Sequence, residues 1–440
     1  MAHVCHFLTA LASRNPSRIL TVCQGKKKTA REVLSRIVSL SRALLDKYGL
    51  RKGDRVALVA RNTDLFFEVF MAVLAADAAM GKDMPSDIAS RCSHIEELIQ
   101  QRDGARGLDV RIGADGAAMI CFTSGTSGAP KGAVLSHAAL HAQALAKLLV
   151  VGYRGEDVYL HCAPLYHIGG MSSMLAVLAA GATQVFQPVF SAASTLDLIA
   201  AHSVTAFIAR RLHLLFPYAH CTTAYGMTEA CSSITFRPMQ PEADPFHSRS
   251  CAPVTSRGPA SRPETRPASA EGVCVGDPPP GIEVAVLCST SAAESSEMGT
   301  EEAAQSLPRV SAVLGAVGEV VTRGPHVMLG YWGDPGASTG AILPGGWLRT
   351  GDLGRLDAGG ALWLLGRLKD VVRSGSENVN AAAVERVLLQ VPGVAGAAVV
   401  GLPHDRLGEQ VSALLVLHAD VDWSGRDLRS SANFGDDIRI

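Results

Sequence analysis

The sequence predicts an α/β protein with two domains. The first is a large multi-layer N-terminal domain, in which helices flank mixed β-sheets beside a small β-subdomain, and the second is a small, truncated α+β C-terminal domain. Segments with helical periodicity alternate with short apolar runs, which is typical of a layered α/β domain. The length of 440 residues suits two domains. Hydrophobic residues make up 48% of the chain and charged residues 18%, so most of the chain can bury a core.

Helices and strands alternate along the first half of the chain. Apolar residues repeat with helical spacing at residues 29–48 and 62–79, and a strand is expected between them at residues 55–60. The first 18 residues form an amphipathic stretch without acidic residues, which is either the first helix of the fold or an organelle-targeting segment. Beyond residue 136 the pattern predicts helices at residues 136–151, 170–180 and 195–201 and strands at residues 158–163, 183–187 and 205–209.

The domain boundary is expected between residues 366 and 367, which gives domains of residues 1–366 and 367–440. Residues 240–272 and 289–305 are rich in small and polar residues and predict mobile loops. After the boundary the pattern predicts strands at residues 370–372, 395–401 and 410–418 and a helix at residues 381–390.

Charge and cysteine content exclude several classes of partner. The formal net charge of −1 gives no reason to expect nucleic acid or an anionic membrane. The 10 cysteines form no CxxC pair and no zinc-type cluster, which indicates reduced thiols. No apolar run reaches the ~18 residues of a transmembrane helix. We therefore expect an intracellular, soluble protein without an integral membrane segment.

A glycine- and hydroxyl-rich turn lies between predicted strands at residues 119–122 and 133–135, and Ser136 is expected to begin the helix that follows. The turn consists of Thr123, Ser124, Gly125, Thr126, Ser127 and Gly128, with Lys131 just beyond. Such a turn offers backbone N–H and hydroxyl donors to phosphate oxygens, and the lysine adds a positive charge. It is not a P-loop, because Pro130 precedes the lysine and Gly132 follows it. A hairpin turn without a ligand is the alternative interpretation.

This stretch, ICFTSGTSGAPKGAVLSH (residues 120–137), closely resembles the phosphate loop of the adenylate-forming enzymes, which include acyl-CoA synthetases, luciferases and peptide-synthetase adenylation domains. Four more motifs resemble that family in the same order, namely PLYHIGG (164–170), TAYGMTEA (223–230), GWLRTGDLG (346–354) and GRLKDVVRSGSENV (366–379). The resemblance covers residues 1 to about 418. Within the family, the amino-terminal run and AYGMTEACSSITF resemble plant-type 2-succinylbenzoate–CoA ligases.

The resemblance implies a ligase with ATP, Mg²⁺ and coenzyme A as its cofactor and substrates. A carboxylate attacks the α-phosphate of ATP, pyrophosphate leaves, and a CoA thiol then attacks the acyl-adenylate to release AMP. The resemblance implies 2-succinylbenzoate as the acid, for phylloquinone or menaquinone synthesis. A 4-coumarate- or fatty-acid-type ligase stays open. The resemblance also implies a location in a plastid or peroxisome if the organism is a photosynthetic eukaryote, and in the cytoplasm otherwise.

The resemblance also implies roles for residues around the phosphates. The turn and Lys131 would hold the β- and γ-phosphates. Thr228 would donate to the α-phosphate, and Glu229 would hold Mg²⁺, because a hard cation prefers oxygen ligands. His167 would lie between the acyl pocket and the CoA tunnel. The adenine would stack on Tyr225, in the motif that continues with Gly226 and Met227.

Further residues are assigned to the ribose and to CoA. Asp352 would accept both ribose hydroxyls, and Arg367 would lie at the same sugar. Lys369 would mark the pivot about which the small domain rotates. The CoA channel would be lined by Ser374, Gly375 and Ser376. Each of these residues has a structural alternative, as a turn residue, a core aromatic or a solvated charge.

The sequence departs from the family's pattern at three places. Segments of the family are expected after Ala79, Ala209 and Asp420, and the last of them would carry a lysine in a Gly-Lys turn that points into the active site. Three hypotheses follow: a CoA ligase, a catalytically impaired relative that binds ATP or an acyl ligand only, or a chain mis-assembled from incomplete coding segments. We expect weak adenylation from the chain as written, because losing one donor to the transition state costs about 10²–10³ in rate.

Overall fold

The computed structural model describes residues 3–76, 79–81, 116–123, 130–208, 220–239, 272–287, 310–311, 315–374 and 377–418. The loops predicted at residues 240–272 and 289–305, apart from Gly272, and the breaks expected after Ala209 and Asp420 lie outside these ranges. The chain divides into two compact units. The first comprises Met1–Glu242, Pro278–Glu283 and Thr322–Leu348, and the second comprises Ala243–Asp277, Val284–Val321 and Arg349–Ile440. The domain boundary at residues 366–367 stays a prediction.

The described helices and strands follow the alternation that the sequence predicts. The helices are α1 Cys5–Arg14, α2 Ala30–Tyr48, α3 Asp64–Ala75, α4 His137–Val151, α5 Ile168–Ala180, α6 Ala192–His202, α7 Pro335–Ala341 and α8 Ala381–Leu388. The strands are β1 Ile19–Cys23, β2 Lys26–Thr29, β3 Arg55–Ala57, β4 Ala79–Gly81, β5 Ala117–Phe122, β6 Gly132–Ser136, β7 Val158–His161, β8 Thr183–Phe186, β9 Ala206–Phe207, β10 Cys221–Met227, β11 Ser232–Met239, β12 Val273–Gly276, β13 Glu283–Leu287, β14 Val310–Ser311, β15 Gly318–Arg323, β16 Gly330–Tyr331, β17 Ile342–Leu343, β18 Trp347–Leu356, β19 Leu362–Arg367, β20 Val371–Ser374, β21 Glu377–Asn380, β22 Val394–His404 and β23 Gly408–Leu417. The predicted α/β fold class is confirmed.

Local signals in the sequence account for several helix boundaries. The Thr29 hydroxyl accepts from the backbone N–H of Glu32 while the Glu32 carboxylate accepts from Thr29, a capping box that begins α2. The Ser136 hydroxyl accepts from the N–H of Ala139 at 3.0 Å, which confirms Ser136 as the start of α4. The first-helix interpretation of the amino terminus is also confirmed, because α1 buries Leu8 in the core.

Two five-stranded sheets form the framework of the first unit. One has the order β2–β1–β8–β7–β9, with β1, β8, β7 and β9 parallel, and its core includes Val22, Leu160 and Val185. The other has the order β16–β6–β5–β4–β3, with β3, β4 and β5 parallel and β6 antiparallel to β5.

The helix predicted at residues 62–79 is too long at its C-terminal end. Helix α3 ends at Ala75, and residues 79–81 form β4, which pairs with β3 and β5. Strand β4 therefore begins at the point where we expected a family segment to be missing, and residues 82–115, which follow it, lie outside the described residues. A three-residue strand is too short to show a period of two, so the sequence pattern places its first residue, Ala79, at the end of the preceding helix.

Three further sheets complete the described structure. Strands β10 and β11 form a two-stranded hairpin. A seven-stranded sheet has the order β12–β19–β18–β15–β13–β14, with β17 beside β18. The four-stranded sheet β21–β20–β23–β22 packs against α8 through Ala381, Val384, Leu388 and Val399. This last sheet and its helix correspond to the α+β pattern predicted after residue 367.

Candidate active site

The predicted phosphate turn is held at both ends by a β-hairpin. Phe122 in β5 pairs with Gly132 in β6, and the N–H of Thr123 donates to the carbonyl of Lys131 at 2.9 Å. Both Thr123 and Lys131 are half-buried. Ser124, Gly125, Thr126, Ser127 and Gly128 lie outside the described residues. The two strands predicted on either side of the turn, at residues 119–122 and 133–135, are confirmed as β5 and β6. Their pairing brings Lys131 back beside Thr123.

The predicted nucleotide motif folds as a second hairpin with an irregular end. The register between β10 and β11 shifts after Tyr225, which pairs with Thr235. A Cβ atom on Gly226 would lie 1.6 Å from the carbonyl oxygen of Ser232, so only glycine fits this close approach. Met227 ends β10 and is followed by a 3₁₀ turn at Thr228–Ala230, which carries Glu229.

Glu229 meets a residue that sequence reasoning missed. The hydroxyl of Tyr331 donates to Oε1 of Glu229 at 2.8 Å, and the N–H of Met328 donates to the Glu229 carbonyl at 2.8 Å. The ammonium of Lys131 lies over the Tyr331 ring, 5.2 Å from its centroid. Tyr331 therefore joins Lys131 and Glu229, two of the predicted catalytic residues, into one group that we name the Glu229 cluster.

Strand pairing explains how Tyr331 reaches this position. The two-residue strand β16 is antiparallel to β6, with Tyr331 opposite Ala133. Lys131 directly precedes β6, so Tyr331 lies beside it on the neighbouring strand. Burial and the neighbouring Glu229 carboxylate raise the pKa of Tyr331 above its ordinary value. The hydroxyl therefore keeps its proton at neutral pH, and it is the donor in the bond to Glu229.

His167 is the N-cap of α5. Its Nδ1 accepts from the N–H of Gly169 at 3.1 Å, so the neutral ring carries its proton on Nε2, and the side chain is exposed. A Cβ atom on Gly170 would lie 2.4 Å from the carbonyl oxygen of Pro164, which explains the glycine at that position. The sequence pattern predicts a strand at residues 158–163 ahead of His167, and the structure shows His167 at the start of the next helix.

The predicted ribose residues form a cross-strand pair in the second unit. Asp352 in β18 is opposite Arg367 in β19, and the Arg367 Nε lies 2.9 Å from Oδ1 of Asp352. The Thr350 hydroxyl accepts from the N–H of Asp352 at 3.1 Å and donates to the Val320 carbonyl at 2.8 Å. The motif GWLRTGDLG resembles an aspartate turn of the family, but Asp352 lies within the ten-residue strand β18.

The remaining predicted residues lie near the start of the four-stranded sheet. Lys369 is exposed in a 3₁₀ turn at Leu368–Asp370, and Ser374 ends β20. Gly375 and Ser376 lie outside the described residues. Asn380 was also missed by sequence reasoning. Its side chain donates to the Leu365 carbonyl at 2.9 Å and accepts from the N–H of Ala383 at 3.3 Å, which connects β19 to the start of α8.

The donor set suits a cation that is shared with a substrate. Among the described residues, no group of three or more His, Cys, Asp or Glu side chains is arranged to hold a metal ion. Mg²⁺ usually binds one or two protein carboxylates together with substrate phosphates, and Glu229 offers one buried carboxylate near the hairpin that carries Lys131. In the part of the chain that the structure describes, no helix is long and apolar enough to cross a membrane.

The fold matches solved structures over almost the whole chain. ATP-bound MatB from Rhodopseudomonas palustris superimposes with a TM-score of 0.73 at 23% identity, covering 96% of this chain and 90% of that one. The o-succinylbenzoate CoA synthetase MenE from Bacillus subtilis, in complex with AMP, gives a TM-score of 0.73 at 24% identity, covering 95% and 89%. The fold is therefore that of the adenylate-forming enzymes.

Sequence comparisons identify the family. The AMP-binding enzyme family matches residues 8–81 and 82–209, and the AMP-binding enzyme C-terminal domain matches residues 383–434. The chloroplastic/peroxisomal 2-succinylbenzoate–CoA ligase of Arabidopsis thaliana is 31% identical, covering 98% of this chain and 88% of that protein. The indoleacetate–CoA ligase of Aromatoleum aromaticum is 32% identical, covering 73% and 61%. The chain belongs to the AMP-binding enzyme family, as its five motifs predict.

The comparison with the Arabidopsis protein also bears on the expected breaks. The alignment runs over 528 residues, which exceeds the 440 residues of this chain. The relative therefore has segments within the aligned region that have no counterpart here.

Proposed function

We propose that this protein is an ATP-dependent carboxylic acid–CoA ligase that acts through an acyl-adenylate, with 2-succinylbenzoate as its acid. The observation that carries the reaction type is the Glu229 cluster, in which the buried Glu229 carboxylate and the Lys131 ammonium contact the hydroxyl and the ring of one tyrosine, Tyr331. The acid is supported by relatives named 2-succinylbenzoate–CoA ligase in Arabidopsis thaliana, at 31% identity, and in Bacillus cereus, at 26%. The Arabidopsis name also supports a plastid or peroxisome as the compartment.

The first half-reaction brings a carboxylate anion to the polyanionic triphosphate, so it depends on electrostatic stabilisation. In this proposal, Lys131 and the turn that begins at Thr123 neutralise the β- and γ-phosphates. The Thr228 hydroxyl donates a hydrogen bond to the α-phosphate, where negative charge develops in the transition state. Mg²⁺, when bound at Glu229, supplies positive charge to the phosphate oxygens.

The nucleoside is held by residues that also have structural contacts. Tyr225 presents its ring to the adenine, next to the backbone of Gly226 and Met227. Asp352 accepts from both ribose hydroxyls, and its oxygens are suited to this because a carboxylate is an acceptor only. Arg367, whose Nε lies 2.9 Å from Oδ1 of Asp352, orients that carboxylate.

The second half-reaction needs access for CoA. We assign His167 to the boundary between the acid and the thiol, where the Nε2 proton of the neutral ring can be donated. Lys369 lies in a short turn between β19 and β20, which is a suitable place for a pivot between half-reactions. The CoA channel is assigned to Ser374, Gly375 and Ser376.

A second candidate acid is an aromatic monocarboxylate. A cavity of about 380 Å³ lies beside the ends of β3 and β5 and next to the His167 segment, and its described lining carries no charged side chain. Its lining includes Leu58, Phe66, Phe122, Tyr166 and Met171. This cavity suits an aromatic ring, whereas the second carboxylate of 2-succinylbenzoate needs a polar partner. The identity to indoleacetate–CoA ligase, at 32%, supports the same candidate.

The test is a substrate panel with the purified full chain. We would incubate it with ATP, Mg²⁺, CoA and, in turn, 2-succinylbenzoate, indoleacetate, ferulate, 4-coumarate and a fatty acid, and would measure pyrophosphate, AMP and thioester. We expect the highest ratio of kcat to KM with 2-succinylbenzoate. A preference for indoleacetate or ferulate would overturn the assignment of 2-succinylbenzoate as the acid and would support the proposed reaction type. ATP binding without AMP formation in the presence of any of these acids would instead indicate a catalytically impaired relative that only binds its ligands.

A further inference from the structure

We propose that Tyr331 is a positioning residue for Glu229: its hydroxyl holds Oε1 of the carboxylate and directs the other oxygen, Oε2, towards the magnesium ion of the bound nucleotide. This inference rests on the proposed function and adds to it a residue that none of the five motifs contains. Its basis is the bond of 2.8 Å between the Tyr331 hydroxyl and Oε1 of Glu229.

The backbone of Tyr331 is fixed on both sides. On one side, β16 pairs with β6, and the N–H of the next residue, Trp332, donates to the Gly132 carbonyl at 2.7 Å. On the other side, the N–H of Tyr331 donates to the Ser338 hydroxyl at 2.8 Å, and that hydroxyl donates to the Asp334 carbonyl at 2.7 Å. A phenol has few rotatable bonds, so its hydroxyl is a rigid donor.

Glu229 is held by the same segment through two atoms. Its carbonyl accepts from the N–H of Met328, and its carboxylate accepts from Tyr331 three residues later. A glutamate side chain loses rotamer freedom when it binds a metal ion, and this loss opposes binding. A hydrogen bond that orders the carboxylate in advance reduces that cost. The phenol is neutral, so it orders the carboxylate without cancelling its charge.

Lys131 provides a way to separate two effects of Tyr331. The Lys131 ammonium contacts the ring, whereas Glu229 contacts the hydroxyl. Tyr331→Phe removes the bond to Glu229 and keeps the ring under Lys131. Tyr331→Leu removes both. If Tyr331 acts through Glu229 and the metal ion, the dependence of ATP binding on Mg²⁺ is affected by the bond between the Tyr331 hydroxyl and Glu229. The contact between Lys131 and the ring does not affect it.

The experiment is calorimetric titration of ATP into the full-length protein at a series of Mg²⁺ concentrations and in excess chelator. For Tyr331→Phe we expect the Mg²⁺ concentration that gives half-maximal enhancement of ATP binding to rise about tenfold, as for the loss of one hydrogen bond to a charged group. ATP binding in chelator should not change. For Tyr331→Leu we expect ATP binding in chelator to weaken as well. Tyr48→Phe, on the exposed end of α2, is the matched control and should change neither quantity.

A double-mutant cycle with Glu229→Gln keeps the test independent of small folding effects. In the Glu229→Gln background, Tyr331→Phe should cause no further change in the Mg²⁺ dependence. Equal losses from Tyr331→Phe with and without Glu229, or an equal loss in chelator, would show a structural role and overturn the inference while leaving the proposed function intact. Absence of any Mg²⁺-dependent ATP binding by the unaltered protein would overturn both.

Discussion

Two glutamates in the first unit are buried to a similar degree and have opposite kinds of partner. Glu68 in α3 is 0% exposed and lies 2.5 Å from the Lys28 ammonium and 2.9 Å from the Arg36 guanidinium. Glu229 is 8% exposed and accepts from the neutral hydroxyl of Tyr331. Burial alone therefore does not distinguish a structural carboxylate from a candidate catalytic one.

The partners show what each carboxylate can do. Two cations neutralise Glu68, and Lys28 also pairs with Asp64 at 2.8 Å, so this network connects β2, α2 and α3. The hydroxyl at Glu229 orders the carboxylate and leaves its negative charge in place. A carboxylate of this kind is suited to bind a cation that arrives with a substrate, whereas Glu68 already has its counter-charges.

The largest expected effect is on stability, from Glu68→Ala. Removing this carboxylate leaves the Lys28 and Arg36 charges, at 17% and 20% side-chain exposure, without their shared partner. We expect the free energy of unfolding to fall by about 3–5 kcal/mol, as for breaking a buried ion pair. Urea denaturation measures it. Glu156→Ala, at 73% side-chain exposure, is the matched control and should change stability by less than about 0.5 kcal/mol.

The reverse pattern is expected for Glu229→Gln. The amide oxygen can still accept from Tyr331, so the free energy of unfolding should change by less than about 1 kcal/mol. Under the proposed function, in which the Glu229 carboxylate holds the metal ion, the rate of acyl-adenylate formation should fall about 10²–10³-fold, which corresponds to ~3–4 kcal/mol. Pyrophosphate release in single-turnover assays measures it. A large loss of stability with unchanged adenylation would remove the distinction between the two glutamates.

The sequence predicts elements whose signals are local. Ser136 begins α4 as expected, because a hydroxyl before an apolar helical pattern is a cap within three residues of its partner. The hairpin that carries Thr123 and Lys131 follows from two adjacent strands around one turn. The family motifs then add roles that residue patterns alone do not supply.

Long-range pairings were not predictable in the same way. Tyr331 lies 102 residues from Glu229 along the chain and belongs to a strand of two residues, which is too short to show periodicity. The three-residue strand β4 is also too short to show periodicity, so the sequence pattern places its first residue, Ala79, in the preceding helix. A Gly-Asp pair is typical of a turn, but Gly351, with a φ of +71°, and Asp352 both lie within β18. Sheet pairing outweighs such local signals.

Lys147 in α4 is a third buried charge, and it sharpens the comparison because it is a cation held by neutral groups. Its ammonium donates to the Gly169 carbonyl at 3.2 Å and to the hydroxyls of Ser172 and Ser173 at 2.7 and 2.9 Å. Both hydroxyls donate in turn to Gly169, so they are acceptors towards the lysine. Burial lowers the pKa of Lys147 to about 7, from an ordinary value of 10.5.

The lowered pKa predicts the sign of a pH dependence. Between about pH 7 and pH 10.5 the unfolded chain binds a proton at Lys147 that the folded protein does not, so this lysine makes the free energy of unfolding rise with pH. The slope for one proton is at most ~1.4 kcal/mol per pH unit. Lys147→Met should remove this rise, seen as a difference from the unaltered protein in urea denaturation at pH 7 and pH 9. Lys27→Met, at an exposed position of β2, should keep the rise. Parallel curves for the unaltered protein and Lys147→Met would mean that Lys147 stays charged in the fold, and that a carbonyl and two neutral hydroxyls are enough to hold a buried cation.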